Sequence, residues 1–306
     1  MRQVIRFPRL ATWLALLLVL TGVLPARADQ PPPTWPTPQA ALEAFVKAVR
    51  SGDEDRMIAV LGRESHPIIR SGDPVADQQA LQNFLAAIKD RVFYQPHGQD
   101  QVTINVGFNN WPMPVPLVKT GNAWRFDAAA GVEEMLNRRI GRNELAALEA
   151  LTALIEAQQD YYRQDFDQDE VVEYAARIVS SEGKRDGLYW PAEPGETPSP
   201  LGPLFAQAQQ EGYSKQGEPY HGYFYRILTE QGPDASGGAY SYLANGHMVG
   251  GFAVVAWPAE YGLSGITTFL VNTNGLVWQK DLGPDTDTQC RAMTTYNPDQ
   301  TWTLVK

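Results

Sequence analysis

The stretch VGGFAVVAWPAEYGLSGITTFLVNTNGLVWQK, residues 249–280, decides the fold. Val249–Trp257 reads as a strand of apolar and β-branched residues, and Gly265–Asn272 as a second. Asn272-Thr273-Asn274-Gly275 reads as a hairpin turn, because Asn-Gly supplies the positive φ that a tight turn needs. Leu276–Lys280 then pairs back as a further strand. Upstream, Tyr220–Leu228 (YHGYFYRIL) is another strand of aromatic and β-forming residues. Connections this short make the neighbours antiparallel.

Moving outward from the sheet, the longest helical pattern runs from Glu144 to about Arg163. Leu145, Leu148, Leu151, Leu154 and Ile155 share one face of it, Asn143 is placed to cap its start, and Tyr161 and Tyr162 lie near its end. Residues 128–143 read as a short helix and a connector. A long helix followed by an antiparallel sheet makes this half α+β. Between them, Pro191–Pro203 holds five prolines and reads as irregular surface.

The front half is α+β as well. Thr37 and Pro38 form a helix start, an N-cap followed by proline at the first helical position. Helices are expected around Ala41–Val49, Met57–Leu61 and Ala80–Ile88. The period then changes to two at Val102, Ile104 and Val106, and a hairpin turns at Thr120-Gly121-Asn122. The organisation expected is a signal peptide (1–28), a Pro-rich linker (29–37) and two α+β domains (38–128 and 129–306).

Arg2, Arg6 and Arg9 precede an uncharged, mainly apolar run at 11–24, and Ala26-Arg27-Ala28 offers small residues for cleavage. This is the form of a secretory signal, shorter than the ~20 apolar residues of a comfortable membrane span. The location expected is the periplasm, with cleavage near Ala28. Residues 1–28 carry four arginines and no acid; without them 21 Lys+Arg face 35 Asp+Glu, a net charge near −14. So acidic a surface repels nucleic acid and anionic lipid. Cys290 is the single cysteine, which excludes an internal disulfide and reads as a small buried hydrophobe.

Three groups of residues carry possible chemistry. Asp165, Asp167, Asp169 and Glu173 place carboxylates at alternate positions after the long helix, the pattern of an oxygen cage for Ca²⁺, although the glycine and the distal glutamate of a full EF-hand loop are replaced by Glu170 and Ala176. The same run also reads as a solvated acidic turn. Tyr189, Trp190, Tyr223, Tyr225 and Trp257 make the second half rich in aromatics, suited to stacking on sugar rings, to gripping a peptide, or simply to core packing. His221 with Asp186 or Glu260 is the one acid–base arrangement the turns allow, and it would suit hydrolysis. No HExxH, CxxC, Walker loop or GxSxG elbow is present. Arg138, Arg139 and Arg142 could bind an anion or form a salt-bridged face with Glu133, Glu134 and Glu144.

Several long blocks carry a resemblance. SGDPVAD (71–77), GVEEMLNRRIGRNELAALEA (131–150), GKRDGLYWPAEPGE (183–196), SPLGPL (199–204), YHGYFYRILTEQGP (220–233) and QKDLGPDT (279–286), together with 251–273, identify the chain as a member of an uncharacterised family of exported bacterial proteins, domain of unknown function 2950. The resemblance implies export and this layout but no activity. In that family the acidic loop tends to read D-x-D-G-D-G, where this chain has Gln168 and Glu170. The first domain also resembles NTF2-like proteins, through its helices followed by a PLVKTGNAWRFD hairpin, and the second resembles the globular head of type IV pilins and pseudopilins. The function expected is a non-catalytic binding or envelope-assembly protein engaging an envelope protein or cell-wall component, the alternative being a periplasmic hydrolase centred on His221.

Overall fold

Thr37 opens the first helix as its sequence suggests: the Ala40 amide donates to Thr37 Oγ1 at 3.1 Å, and Pro38 occupies the first helical position. The computed structural model describes residues 32–213 and 217–305. The signal read at 1–28, and residues 29–31 of the linker, lie outside them.

The chain is α+β. Four helices, α1 (Pro38–Ser51), α2 (Glu54–Leu61), α3 (His66–Ile69) and α4 (Pro74–Asp90), precede β1 (Val92–His97), β2 (Gln101–Val106), β3 (Trp111–Pro112), β4 (Leu117–Thr120) and β5 (Ala123–Phe126). The strands form an antiparallel sheet in the order β1-β2-β4-β5, with β3 on β2. Ala41, Phe45, Val49, Met57, Ile104, Leu117 and Phe126 are among the buried residues of the core between helices and sheet. Trp35, read as part of a linker, is anchored instead: its backbone pairs with that of Trp124, and its ring meets Phe126 edge-on at 5.8 Å.

A single helix, α5, then runs from Ala128 to Tyr161. This corrects the expected break at 128–143. Gly141-Arg142-Asn143 resembles a helix stop, yet nothing there blocks the backbone, and tertiary contacts carry the helix through. Gly131 lets the helix lie on the Pro114–Val115 backbone, where a Cβ would sit 2.3 Å from the Pro114 carbonyl oxygen. The buried Arg139 guanidinium donates to the carbonyls of Pro67 (2.6 Å) and Ile68 (2.9 Å). Asn143 caps nothing; its amide donates to Ser264 O at 2.9 Å. Glu144 Oε1 accepts from the amides of Ile266 and Thr267.

The second half of α5 packs on the second sheet. Its buried stripe is Ala147, Ala150, Leu151, Leu154, Ala157 and Tyr161, while Leu145 is exposed. Alanines on the inner face allow close approach to the strands. The second sheet contains β6 (Tyr223–Leu228), β9 (Ala253–Pro258), β10 (Thr267–Asn272), β11 (Trp278–Asp281) and β13 (Thr303–Leu304), in the antiparallel order β13-β11-β10-β9-β6. The four expected strands are those of β6, β9, β10 and β11. A small sheet of β7 (Glu230–Gln231), β8 (Tyr240–Ser241) and β12 (Thr295–Tyr296) lies beside it in the chain. The remaining helices are α6 (Gly202–Gln210) and α7 (Thr286–Ala292). Cys290 is fully buried in α7, and burial pushes its thiol up to about 11, so it is a packing residue. Among the described residues no helix is long and apolar enough to cross a membrane.

Candidate functional site

Three places gather the residues singled out above. The first is a mainly apolar cavity of about 680 Å³ among α5, α6, β6 and the segment 176–179, with Arg177, Gln209, Glu218 and Arg226 also in its lining. Just before segment 176–179, the buried Gln158 side chain on α5 pairs with both the N–H (2.9 Å) and the C=O (2.8 Å) of Ala175 as a strand would. Leu154 and Leu201 form the floor, and Tyr189 stacks on Phe205 with ring centres 3.8 Å apart and planes 5° from parallel. Tyr225 lines the cavity. Its hydroxyl is shielded from water without a hydrogen-bond partner among the described residues, and burial raises its pKa well above the ordinary phenol value. Such a volume suits a small ligand or a few residues of a peptide.

Of the five aromatics expected to bind, only Tyr189 and Tyr225 reach this cavity. Trp190 is buried against Phe166 and donates to Thr197 O at 3.2 Å. Tyr223 is fully buried, its hydroxyl on Thr267 O at 2.9 Å. Trp257 is buried and donates to Asp287 at 3.0 Å. These three are core residues with satisfied polar atoms. Helix α6, which supplies Leu204, Phe205 and Ala208 to the wall, escaped sequence reading because its Gly202-Pro203 start follows a proline-rich run. A glycine–proline pair before seven non-β-branched residues was the available signal.

The second place is the acidic loop. Asp165, Asp167 and Asp169 each bring a carboxylate oxygen within 4.8 Å of the others, and Asp169 and Glu173 do the same with His247. His247 Nδ1 lies 3.2 Å from Asp169 Oδ2 and 3.3 Å from Glu173 Oε1, and Glu173 Oε2 accepts the Met248 amide. Sequence reading missed His247, which is 74 positions from Glu173. Asp165 accepts the amides of Gln168, Asp169 and Glu170. Desolvation works against its charge, and those amides outweigh it, holding its carboxyl below the usual value. Asp167 is pushed up to about 6, first by desolvation, then by the charge of Asp169, its hydrogen bond with Asp165 and the charge of Glu173. Gln168 and Glu170 take φ of +62° and +72°. These are the two positions where the D-x-D-G-D-G form has glycine. The donor set is all oxygen apart from His247, which suits a hard cation such as Ca²⁺.

The third place is the junction around His221. His221 Nε2 is 3.0 Å from Glu211 Oε2, so its acidic partner is Glu211 rather than Asp186 or Glu260. Asp186 lies elsewhere, accepting from Ser181 N (2.7 Å) and Oγ (2.9 Å) with Arg177 at 3.6 Å. Glu260 packs over Gly72, and its amide donates to Ser264 Oγ. The centre of this junction is Asp73. Its Oδ1 caps α4 through the Ala76 amide, and its Oδ2 accepts from Tyr213 Oη at 2.7 Å and from the Gly222 amide at 2.9 Å. Among the described residues no hydroxyl or thiol is hydrogen-bonded to the His221 ring. Arg138 pairs with Glu134, and Arg139 with backbone carbonyls, so two of the three arginines of the basic cluster have structural roles.

The motif blocks thus meet in space: Asp73 from one, Arg139, Asn143 and Glu144 from another, Gly222 and Ser264 from two more. A family model described as protein of unknown function (DUF2950) matches residues 33–305. The chain belongs to the DUF2950 family. No curated protein and no solved structure matches it. The DUF2950 family is described as one of unknown function, so membership brings no assigned chemistry.

Proposed function

We propose that this DUF2950 protein is an exported, periplasmic binding protein that acts without catalysis, taking part of an envelope protein into the cavity between α5, α6 and β6. The observation that carries the reading is that cavity: a preformed, mainly apolar slot with a stacked aromatic pair at its wall and Tyr225 in its lining. Export follows from the signal-like residues 1–28. In this reading residues 38–128 are an NTF2-like module and residues 129–306 a pilin-head-like module, and a Ca²⁺ ion in the acidic loop stiffens the segment that forms the cavity wall. The test is capture from envelope extract by the tagged protein, compared with Ala208→Trp, which fills the slot from α6. A discrete partner held by the wild type and lost by the variant is expected. A partner held equally by both overturns the role of the cavity.

A hydrolase centred on His221 is the second reading, favoured by the His221–Glu211 pair and by the φ of +49° at His221. His221→Asn tests it, since asparagine tolerates that backbone. Loss of a hydrolytic activity at an unchanged melting temperature would favour chemistry, and a fall in stability alone would favour a structural histidine.

A further inference from the structure

One side of the cavity is unusual: it is the free edge of a sheet. Strand β6 ends the order β13-β11-β10-β9-β6, and Tyr225, Arg226 and Ile227 line the cavity. The register decides which backbone groups face it. Tyr223 lies opposite Pro258 and Tyr225 opposite Ala256, and just before the strand the Ala259 amide donates to Gly222 O. Antiparallel ladders alternate, so Gly222, Phe224, Arg226 and Leu228 turn their N–H and C=O toward β9, and Tyr223, Tyr225 and Ile227 turn theirs outward. Tyr223 spends its outward pair on Tyr220, each donating to the other's carbonyl at 2.9 and 3.1 Å. Tyr225 and Ile227 have no such partner among the described residues. Two donors and two acceptors, spaced as a strand spaces them, therefore face an apolar slot.

We propose that the slot takes an extended peptide segment, which adds to β6 as a further strand through the backbone of Tyr225 and Ile227 and sets an apolar side chain between Leu154, Leu201 and Phe205. The inference rests on the reading that this cavity is the binding site, and it names the class of ligand. Strand addition to an open edge is a general mode of peptide capture, in which the ladder supplies affinity and pockets for alternate side chains supply selectivity. An acyl chain would fill the slot but leave four backbone groups without partners. A sugar could stack on the aromatic pair, but its ring does not reproduce the two-residue spacing of the edge donors and acceptors. An extended peptide satisfies both the edge and the slot.

The test pans a phage-displayed library of random 12-residue peptides against the intact protein. Enrichment of sequences with apolar residues at alternate positions is expected, with binding weakened at least tenfold by Ala208→Trp. The enriched peptide is then made with N-methyl groups on either of two alternating sets of residues. The set facing β6 loses binding at least tenfold, and the other set stays within about threefold, because only one set donates to the edge. N-methylation that acts equally in both sets, or peptides that bind Ala208→Trp as well as wild type, overturns the inference. The N-methyl comparison needs no protein variant, so misfolding of Ala208→Trp cannot obscure it. If no peptide is enriched while the envelope partner is still lost by Ala208→Trp, strand addition fails and the binding function stands. If the partner also survives in the variant, both fail.

Discussion

Tyr225 and Asp73 mark the two extremes of how this chain treats a buried polar atom. The Tyr225 hydroxyl is shut away from water with no partner among the described residues. An unsatisfied buried hydroxyl costs about 1–3 kcal/mol, so removing it should help. Tyr225→Phe is expected to raise stability by about 1 kcal/mol in denaturant unfolding; a loss of stability would mean that the hydroxyl is satisfied after all. Asp73 is the opposite case, 1% exposed and accepting hydrogen bonds from Ala76, Tyr213 and Gly222. Asp73→Ala removes a helix cap worth about 1 kcal/mol and leaves a phenol and an amide unpaired, a total of about 3–5 kcal/mol. A change below about 1 kcal/mol would show that the junction repacks freely. Both residues stand in motif blocks. Only the burial of Tyr225 and the 149-residue reach from Asp73 to Gly222 separate their roles, and neither can be seen along the chain.

Among elements, local signals were legible and joints were not. The strands β6, β9, β10 and β11 could be read because β-forming runs end in turn residues whose backbone demands are local. The cap of α1 could be read for the same reason. The continuity of α5 could not, because Gly131, Gly141 and Asn143 weigh against a helix until the contacts of Arg139, Asn143 and Glu144 are counted. The acidic loop was legible because its carboxylates are neighbours in sequence, whereas His247, Glu211 and helix α6 come from distant segments. The two helical glycines give a paired test. Gly131 lies against the Pro114 carbonyl, whereas a Cβ at Gly141 meets nothing within 4 Å. Gly141→Ala is therefore expected to stabilise by about 0.5–1 kcal/mol through helix propensity. Gly131→Ala should destabilise by at least about 1–3 kcal/mol, because the helix must lift from the backbone beneath it. Equal effects at the two sites, read as thermal midpoints, would contradict the close approach.

At the scale of the whole molecule, the acidic loop is where stability is expected to depend on pH and, in the proposed reading, on Ca²⁺. Asp165, Asp167, Asp169 and Glu173 gather beside His247, and Arg177, Lys184 and Arg185 line the same hollow. Desolvation, reinforced by the charge of Asp169, keeps the proton on Asp167 up to about pH 6. A carboxyl raised in the folded state favours folding fully below its ordinary value near 4, and that contribution is lost as pH rises through about 6. Between pH 4 and 6 the metal-free protein should thus lose stability through this group, and Asp167→Asn should flatten that slope. Deprotonation over the same range readies the loop for Ca²⁺. If the loop binds it with the millimolar affinity of weak extracellular sites, about 5 mM Ca²⁺ stabilises by roughly 1 kcal/mol. For a chain of this length that is a rise of about 2–4 °C in the melting temperature at neutral pH, reversed by chelator and absent at pH 4, where Asp167 is protonated. Because Gln158 and Ala175 join α5 to the segment that follows the loop, the same ion should stiffen the cavity wall and tighten capture of a partner. A melting temperature indifferent to Ca²⁺ across this pH range would leave the loop as a charged turn whose carboxylates are held by backbone amides, at Asp165, Asp169 and Glu173, and by His247.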